Sequence, residues 1–249
     1  MVQETRKTFH EDLDEVQRSV ARLAAMATES IPRATAVLLG DDDNEAAAIV
    51  EEDVTVDRLS HEIEERCYQV LALQQPVAGD LRTIVTAVRL NSEIERSCDL
   101  CVNIAKASRR VPGASFPPAI RGLIERMSEE AVRLYRAAVD AYLDGDAELA
   151  AAIDDMDDTL DDLQRTFIAA VFEAHEREGL DLEVAVQLAM VARFYERIGD
   201  HAVNIGERVQ YMVTGSLPEH LKPSATDEAS EADAPAAAPT GADGPSPGD

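Results

Sequence analysis

The chain has 249 residues, of which 45% are apolar and 4% aromatic, with no tryptophan. A chain of this length can bury one large core or two modest ones, and the scarcity of aromatic residues favours aliphatic helices over a β-sandwich. Forty-nine acidic residues against 23 basic ones give a formal net charge of −26, which disfavours direct contact with nucleic acid or with an anionic membrane surface.

The first half of the chain predicts three long helices. In the first of them, apolar residues from Phe9 to Met26 recur at steps of four and three, which places them on one helix face. Pro32 is expected to kink or break this helix, and Asp80 is expected to cap the start of the third. The three predicted ranges are about 3–39, 41–74 and 80–109.

The second half repeats this order after a proline-rich linker, residues 111–118. Asp181 lies 101 residues after Asp80 and is again an expected N-cap. The predicted helices cover about 119–143, 147–176 and 181–213, and no stretch alternates as a β-strand would. The sequence therefore predicts an all-α fold of two tandem three-helix bundles, residues 1–110 and 119–214, related by an internal repeat.

The last segment, residues 215–249, differs in composition from the rest of the chain. It is built from Pro, Ala, Gly, Ser and acidic residues, and it has almost no bulky apolar side chain. Such a segment cannot bury enough apolar surface to offset the loss of chain entropy on ordering. We therefore expect a disordered acidic tail.

An acidic motif occurs twice, in the helices that close the two halves. The pattern Glu-Arg-x-x-Asp-x-x-x-Asn-Ile covers residues 95–104 and, 101 positions later, residues 196–205. Residues four apart share one face of a helix, so each motif aligns a glutamate, an aspartate and an asparagine. Two like charges at this spacing destabilise an exposed helix by about 0.2–0.5 kcal/mol, and a bound cation would remove that cost.

The preceding helices add a second acidic pair to each half. Asp53 and Asp57 are four residues apart, and Asp157 and Asp161 repeat the pair 104 positions later. Adjacent antiparallel helices could bring each pair beside a Glu–Asp pair of the next helix, which predicts two sites of four carboxylates each. The candidate metal ligands are Asp53, Asp57, Glu95 and Asp99 in the first half, and Asp157, Asp161, Glu196 and Asp200 in the second.

Carboxylate oxygens favour hard or intermediate cations such as magnesium, manganese, iron, zinc or calcium. Bridging carboxylates also allow more than one divalent or trivalent ion in a site. An alternative interpretation stays open, since acidic pairs four apart also arise on any solvated helix face of so acidic a chain. The repeated motif favours the metal interpretation, because chance does not readily place five identities in corresponding helices.

The cysteines and His201 are interpreted as structural residues. Cys98 and Cys101 form a C-x-x-C within a helix, and the second half has Gly199 and Ala202 at the same positions, which indicates close helix packing. His201 is interpreted as a satisfied surface or interface residue. Three cysteines do not make a disulfide framework, so a reducing cytoplasm is expected.

The sequence also predicts a salt-adapted protein that does not enter the membrane. No stretch of about 18 apolar residues predicts a spanning helix, and the N-terminal segment lacks the apolar core of a signal peptide. The net charge of −26 makes the compact state repel itself unless salt screens it. We therefore expect a halophilic protein of a salt-rich cytoplasm, with a melting temperature that rises in molar salt.

The two motif regions resemble the signature regions of the PhoU family of phosphate-uptake regulators. The segments that carry this resemblance are RCYQVLALQQPVAGDLRTIVTAVRLNSEIERSCDLCVNIAK and MVARFYERIGDHAVNIGE, and it extends over about residues 5–213. The resemblance implies a cytoplasmic, usually homodimeric protein, not an enzyme, that restrains phosphate uptake. The partner it implies is the ATP-binding subunit of the phosphate ABC transporter and, in many bacteria, also a sensor kinase.

The resemblance also implies metal clusters, of iron or other divalent ions, held by the acidic motifs. Carried onto this chain, the implied ligands are the eight acidic residues named above. The first half departs from the family pattern at Cys98 and Cys101 but keeps both of its motif acids. Some relatives carry an N-terminal DNA-binding domain, whereas this chain starts directly in a predicted helix, so the resemblance implies regulation through protein contact.

Two other functions stay open. A carboxylate-bridged metalloenzyme could be built in a helical bundle, but the Glu-x-x-His pair of ferritin-like di-iron bundles is missing and the acids flank the apolar face. A metal-free helical adaptor would leave the acidic residues as halophilic surface only. Elemental analysis of protein purified without chelator separates these functions from a metal-binding regulator.

Overall fold

The computed structural model describes residues 2–40, 42–111 and 116–216, with side chains from Phe9 onward. These residues form six long helices and contain no β-strand, which confirms the all-α prediction. The helices are α1 (Val2–Gly40), α2 (Asp43–Gln74), α3 (Ala78–Ser108), α4 (Pro118–Asp144), α5 (Ala147–Glu173) and α6 (Leu182–Thr214). A π-helical turn, Ala174–Glu178, follows α5 directly. Residues 112–115 of the predicted linker and the predicted tail from residue 217 lie outside the described residues.

No helix in the described ranges has both the length and the apolar composition that a transmembrane span requires.

Aspartate side chains start three of the helices. Asp42, Asp146 and Asp181 each accept backbone N–H hydrogen bonds from the first turn of α2, α5 and α6, respectively. These bonds satisfy donors that the start of a helix otherwise leaves free. The predicted N-cap at Asp181 is therefore confirmed.

The predicted N-cap at Asp80 is wrong, because α3 starts before it. The N-cap is Val77, which offers no side-chain hydrogen bond, and Asp80 lies within the first helical turn. The turn between α2 and α3 places Gln75 and Ala78 in left-handed conformations, with φ of 48° and 50°. The chain has thus completed its reversal by Ala78, two residues ahead of the expected position.

Pro32, which was expected to kink or break α1, does not break it. The helix continues through this residue to Gly40. Pro32 is exposed, whereas Ile31 and Ala34 on the other side of the helix are fully buried. The backbone hydrogen bond that proline removes lies on the solvent side, where water can satisfy the free carbonyl, and core packing holds the opposite face.

The six helices pack around one continuous apolar core. α1, α2 and α3 form one three-helix bundle and α4, α5 and α6 form the other, while α1 packs on α4 and α3 packs on α6 between the bundles. Polar contacts at this junction are buried too: the hydroxyl of Thr35 lies 2.6 Å from the hydroxyl of Tyr195 and 2.8 Å from that of Ser128. The predicted architecture is confirmed, and the junction between its halves belongs to the core.

An approximate two-fold axis relates the two bundles. In the antiparallel pair α1–α4, Gln17 Nε2 donates to the carbonyl of Leu143 (3.5 Å), and Arg121 Nη2 donates to the carbonyl of Leu39 (2.9 Å). The two donors are 104 positions apart along the chain, and so are the two acceptors. Each bond is therefore the repeat-equivalent of the other, as a two-fold axis between α1 and α4 requires.

The pair α3–α6 is antiparallel as well. Near the start of α3, Arg82 Nε donates to the carbonyl of Met212 near the end of α6 (3.1 Å). Beyond the end of α3, Arg110 Nη1 donates to Gln187 near the start of α6 (3.5 Å). The start of each helix thus lies beside the end of the other.

Candidate metal sites

The first acidic site lies between α2 and α3. Asp53 and Glu95 are half-buried, and Asp57 and Asp99 are exposed. Burial raises the pKa of Asp53, and the negative charges of Asp99 and Asp57 raise it further. Burial likewise raises the pKa of Glu95, as do Asp99 and Asp57. The structure therefore brings the four candidate ligands of the first half close enough to repel one another.

The second acidic site lies between α5 and α6 and is the more strongly perturbed. Burial, followed by the negative charges of Asp161, Asp200 and Glu196, raises the pKa of Asp157 to about 7. Burial and the charge of Asp200 also raise the pKa of Glu196, although Arg193 opposes this. All four candidate ligands of the second half therefore lie together, with Asp157 and Glu196 turned towards the protein interior.

Two carboxylate oxygens of the second site are buried without a partner. Asp157 Oδ1 and Glu196 Oε2 accept no hydrogen bond, while the other oxygen of Glu196 is bound by Arg193. A buried polar atom without a partner costs about 1–3 kcal/mol, and more when it is charged. A cation between α5 and α6 would satisfy both oxygens, so the residues present fit the oxygen-ligated metal that the acidic motif implies.

The four carboxylates of each site lie near one another but do not converge on a single point. Within the described ranges, no three or more Asp, Glu, His or Cys side chains are arranged to hold a metal ion. Four clustered carboxylates repel one another, which disfavours their convergence on one point in the absence of a cation. Closure on an ion would require side-chain rotation, while the helices already place the four carboxylates on facing surfaces.

A glycine distinguishes the second site from the first. A Cβ atom at Gly199 would overlap Asp157 Oδ1 and would lie 2.8 Å from a methyl group of Leu160, so only glycine lets Asp157 turn inward. In the first site Cys98 takes the equivalent position. Cys98 and Asp53 there line a cavity of about 50 Å³, which is large enough for a water molecule or an ion.

Cys98 and Cys101 are packing residues, as interpreted from the sequence. Both are free thiols, with 3% and 0% of their surface exposed. Burial raises the pKa of Cys101 to about 12 and raises that of Cys98 as well. The thiolate form needed for redox chemistry is therefore disfavoured.

A polar cluster across the α3–α6 junction was not predicted. His201 is buried, and its Nδ1 lies 2.6 Å from Glu93 Oε2, which also accepts a hydrogen bond from Asn204 (3.2 Å). Burial opposes ionisation of Glu93, but the bonds from His201 and Asn204 outweigh it, so the pKa of Glu93 lies below its ordinary value. His201 is thus an interface residue whose ring nitrogen has a hydrogen-bond partner. Asn204 of the motif takes part in the same contact between α3 and α6.

The sequence contained one signal for this cluster. Glu93 and His201 stand where the other copy has Phe194 and Leu100, so polar residues replace apolar ones at positions that the repeat marks as buried. Their pairing with each other becomes visible only once α3 is known to pack on α6.

Comparison with known proteins identifies the repeat. The family model described as "PhoU domain" matches residues 20–108 and 124–209, once in each bundle. A protein of Mycobacterium tuberculosis described as "Phosphate-specific transport system accessory protein PhoU homolog 2" is 36% identical over 214 residues, which cover 86% of this chain and 100% of the relative.

Solved structures show the same fold. The crystal structure of PhoU from Pseudomonas aeruginosa superposes with a TM-score of 0.78 at 25% identity, covering 84% of this chain and 100% of that one. The phosphate transport system regulatory protein PhoU from Streptococcus pneumoniae superposes with a TM-score of 0.76 at 24% identity, covering 84% of this chain and 98% of that one.

Proposed function

The chain belongs to the PhoU family, and on this premise we propose that it is a non-enzymatic accessory protein that restrains phosphate uptake in the cytoplasm. Its partner in this proposal is the ATP-binding subunit of a phosphate ABC transporter, with a sensor kinase as a second partner. The description of the mycobacterial relative as an accessory protein of a phosphate-specific transport system supports this role. The net charge of −26 supports a partner whose contacting surface is basic.

The proposal includes metal binding at both acidic sites. The observation that carries it is the pair of buried, unpartnered oxygens, Asp157 Oδ1 and Glu196 Oε2. When bound, the cation supplies the positive charge that four clustered carboxylates lack. A metal-free adaptor would have no use for carboxylates that face the protein interior without a partner.

The residues of the chain have distinct roles in this site. Asp157 and Glu196 provide the inward oxygens, and Asp161 and Asp200 provide the outer ones. Arg193 orients Glu196 by binding its other oxygen. Because the ligands come in pairs from α5 and α6, occupation of the site ties the two helices together, and Asp53, Asp57, Glu95 and Asp99 do the same for α2 and α3.

Elemental analysis of protein purified without chelator tests metal binding. Wild-type protein is compared with Glu196→Gln/Asp200→Asn, which removes two ligands of the second site, and with Glu95→Gln/Asp99→Asn in the first. The matched control is Glu125→Gln/Glu129→Gln, a pair of exposed acids four residues apart on α4. Each site variant should lose the metal of one bundle, while the control should keep the wild-type content.

The stability of the metal-free protein provides the second readout. Neutralising mutually repelling acids should leave the chelator-treated variants folded and at least as stable as wild type. Wild-type protein that carries no metal, and whose stability chelation leaves unchanged, would favour the metal-free adaptor. A marked loss of stability in the apo form of Glu196→Gln/Asp200→Asn would show that the ion pair with Arg193 is the main role of Glu196.

A further inference from the structure

Exposed apolar side chains concentrate at two places on the molecule. Of the twelve large apolar residues that are exposed in the described part of the chain, nine lie where α2 meets α3 or where α5 meets α6. We call these clusters the first and second apolar ends. The first comprises Tyr68, Leu73, Val77, Leu81 and Val85, and the second comprises Phe172, Leu182, Val186 and Met190.

The two apolar ends are copies of each other. Tyr68 and Phe172 are 104 positions apart, as are the aspartate pairs of α2 and α5, and both are exposed, by 53% and 65%. Val85 and Val186 are 101 positions apart, as are the motifs of α3 and α6, and are exposed by 37% and 52%. Leu81 and Leu182 form a third such pair. Both halves therefore expose apolar residues at the same structural positions, which single scattered side chains would not do.

The first apolar end includes an open groove of about 610 Å³ between α2 and α3. Tyr68, Leu71, Val85 and Val88 form its apolar lining. The charged residues beside them are Glu64, Arg89 and Glu95 of the first acidic site. A groove that combines apolar and acidic side chains suits a partner surface that is itself apolar and basic.

Both apolar ends face the same side of the molecule. α3 is covered by α1, α2 and α6, and α6 by α4, α5 and α3, so each has one open side, and both open sides point away from the layer of α1 and α4. Because α3 and α6 are antiparallel, Val85 lies beside the end of α6 and Val186 beside the end of α3. At about 1.5 Å per helical residue, the two ends are roughly 35 Å apart. Between them lie exposed residues of both signs: Arg96 and Asp99 on α3, and Arg197 and Asp200 on α6.

We propose that the two apolar ends together dock a homodimeric protein of basic surface. A partner with its own two-fold axis can place one identical contact on each end, because the two ends are themselves related by an approximate two-fold axis. A second copy of this chain is the poorer occupant of this surface, since two chains of charge −26 repel each other unless a large interface offsets the repulsion. The homodimer that the family resemblance implies is therefore expected to use another surface. This inference rests on the proposed function, which makes the partner the paired ATP-binding subunits of the phosphate transporter.

The test measures binding of this chain to the purified homodimer of the transporter's ATP-binding subunit. Val85→Asp and Val186→Asp each place a charge in one apolar end, and a double variant disrupts both. The matched control is Leu143→Asp, whose side chain is 43% exposed on α4 in the opposite layer. Circular dichroism confirms that each variant remains helical.

We expect each single variant to raise Kd by about tenfold or more, and the double variant by about a hundredfold, because a charge then has to be buried in each contact. The control should stay within about twofold of wild type. Analytical ultracentrifugation should show a ratio of one chain to two subunits, whether this chain is itself a monomer or a dimer.

The possible failures are distinguishable. If wild type binds and the double variant binds as tightly as the control, the apolar ends are not the docking surface, although the proposed function stands. A complex with one chain per subunit would overturn the two-fold arrangement. Wild-type protein that is a dimer, and that Val85→Asp/Val186→Asp converts to a monomer, would assign the surface to a second copy. No binding of wild-type protein at all would overturn both the inference and the proposed partner.

Discussion

Single residues make the two acidic sites unequal. Asp157 turns inward because Gly199 leaves room for its carboxylate, whereas Cys98 fills the same position in the first half. The grouping of the acids was predictable, because their spacing on repeated helices fixes which faces meet. The deeper burial of Asp157 in the second site was not predictable. It depends on how closely α5 approaches α6, and the spacing of residues along a helix does not encode that distance.

Gly199→Ala should lower metal binding at the second site while changing the stability of the fold only slightly. The added methyl group meets the ends of two side chains, Asp157 and Leu160, which can rotate away, so the free energy of unfolding should change by no more than about 1 kcal/mol. The displaced Asp157 should lower the metal content of the second site. Elemental analysis and urea unfolding check the two effects, and an unchanged metal content would contradict the role of Asp157.

Gly206→Ala provides the contrast on the same helix. Its added methyl group would lie 2.7 Å from the backbone carbonyl of Ala150, which cannot rotate away. We expect a loss of stability of about 1–3 kcal/mol, measured by urea unfolding. A variant as stable as Gly199→Ala would show that α5 and α6 shift apart easily.

The pKa of Asp157 should make the metal-free protein less stable as pH rises. Below the ordinary value of 3.8, Asp157 is protonated in both folded and unfolded chains; between 3.8 and about 7 only the unfolded chain ionises, which favours unfolding. Asp157→Asn should therefore reduce the fall in stability across this window. Urea unfolding of chelator-treated protein from about pH 4 to about pH 8 measures it, and identical pH profiles would contradict the raised pKa.

At the scale of elements, the helices themselves were predictable and their ends less so. Apolar periodicity and the internal repeat give the six helices, because a helix face must be apolar wherever it packs. The continuity of α1 through Pro32 was not predictable, because the effect of a proline depends on whether it faces solvent or core. Asp80 was misjudged because the turn before α3 uses two left-handed non-glycine residues, which sequence pattern does not indicate.

Substitution of the two repeat-equivalent aspartates tests the caps. Asp181→Ala removes hydrogen bonds to the backbone N–H groups of Glu183 and Val184, so stability should fall by about 0.5–2 kcal/mol. Asp80→Ala removes no capping bond, so its effect should be smaller, limited to the helix-dipole contribution of about 0.3–1 kcal/mol. Thermal or urea unfolding of both variants checks the difference, and equal losses would contradict the assigned N-caps.

At the scale of the whole molecule, the tandem repeat does not produce two independent domains. Tyr195 of the second bundle is fully buried and its hydroxyl meets Thr35 of the first. The sequence predicted the bundles but not this junction, because its hydrogen bonds join residues that are 77 to 160 positions apart.

Separated halves should therefore fold poorly. Fragments 1–110 and 119–214 would each expose the face that packs in the shared core, so each alone should lack a cooperative unfolding transition. An equimolar mixture should regain helicity and a sigmoidal melt by circular dichroism. A cooperative melt of either fragment alone, at a temperature near that of the full chain, would contradict the shared core.

The approximate two-fold axis has an evolutionary consequence. Duplication and fusion of a gene whose product was a symmetric dimer of half-length chains would leave two tandem units packed in this way. In such an ancestor, every substitution beside the axis appeared twice. After fusion it appears once, so Glu93 and His201 can form a polar contact on one side of the axis while Phe194 and Leu100 stay apolar on the other. One polypeptide thus holds two related sites that can diverge separately, with Gly199 in one and Cys98 in the other.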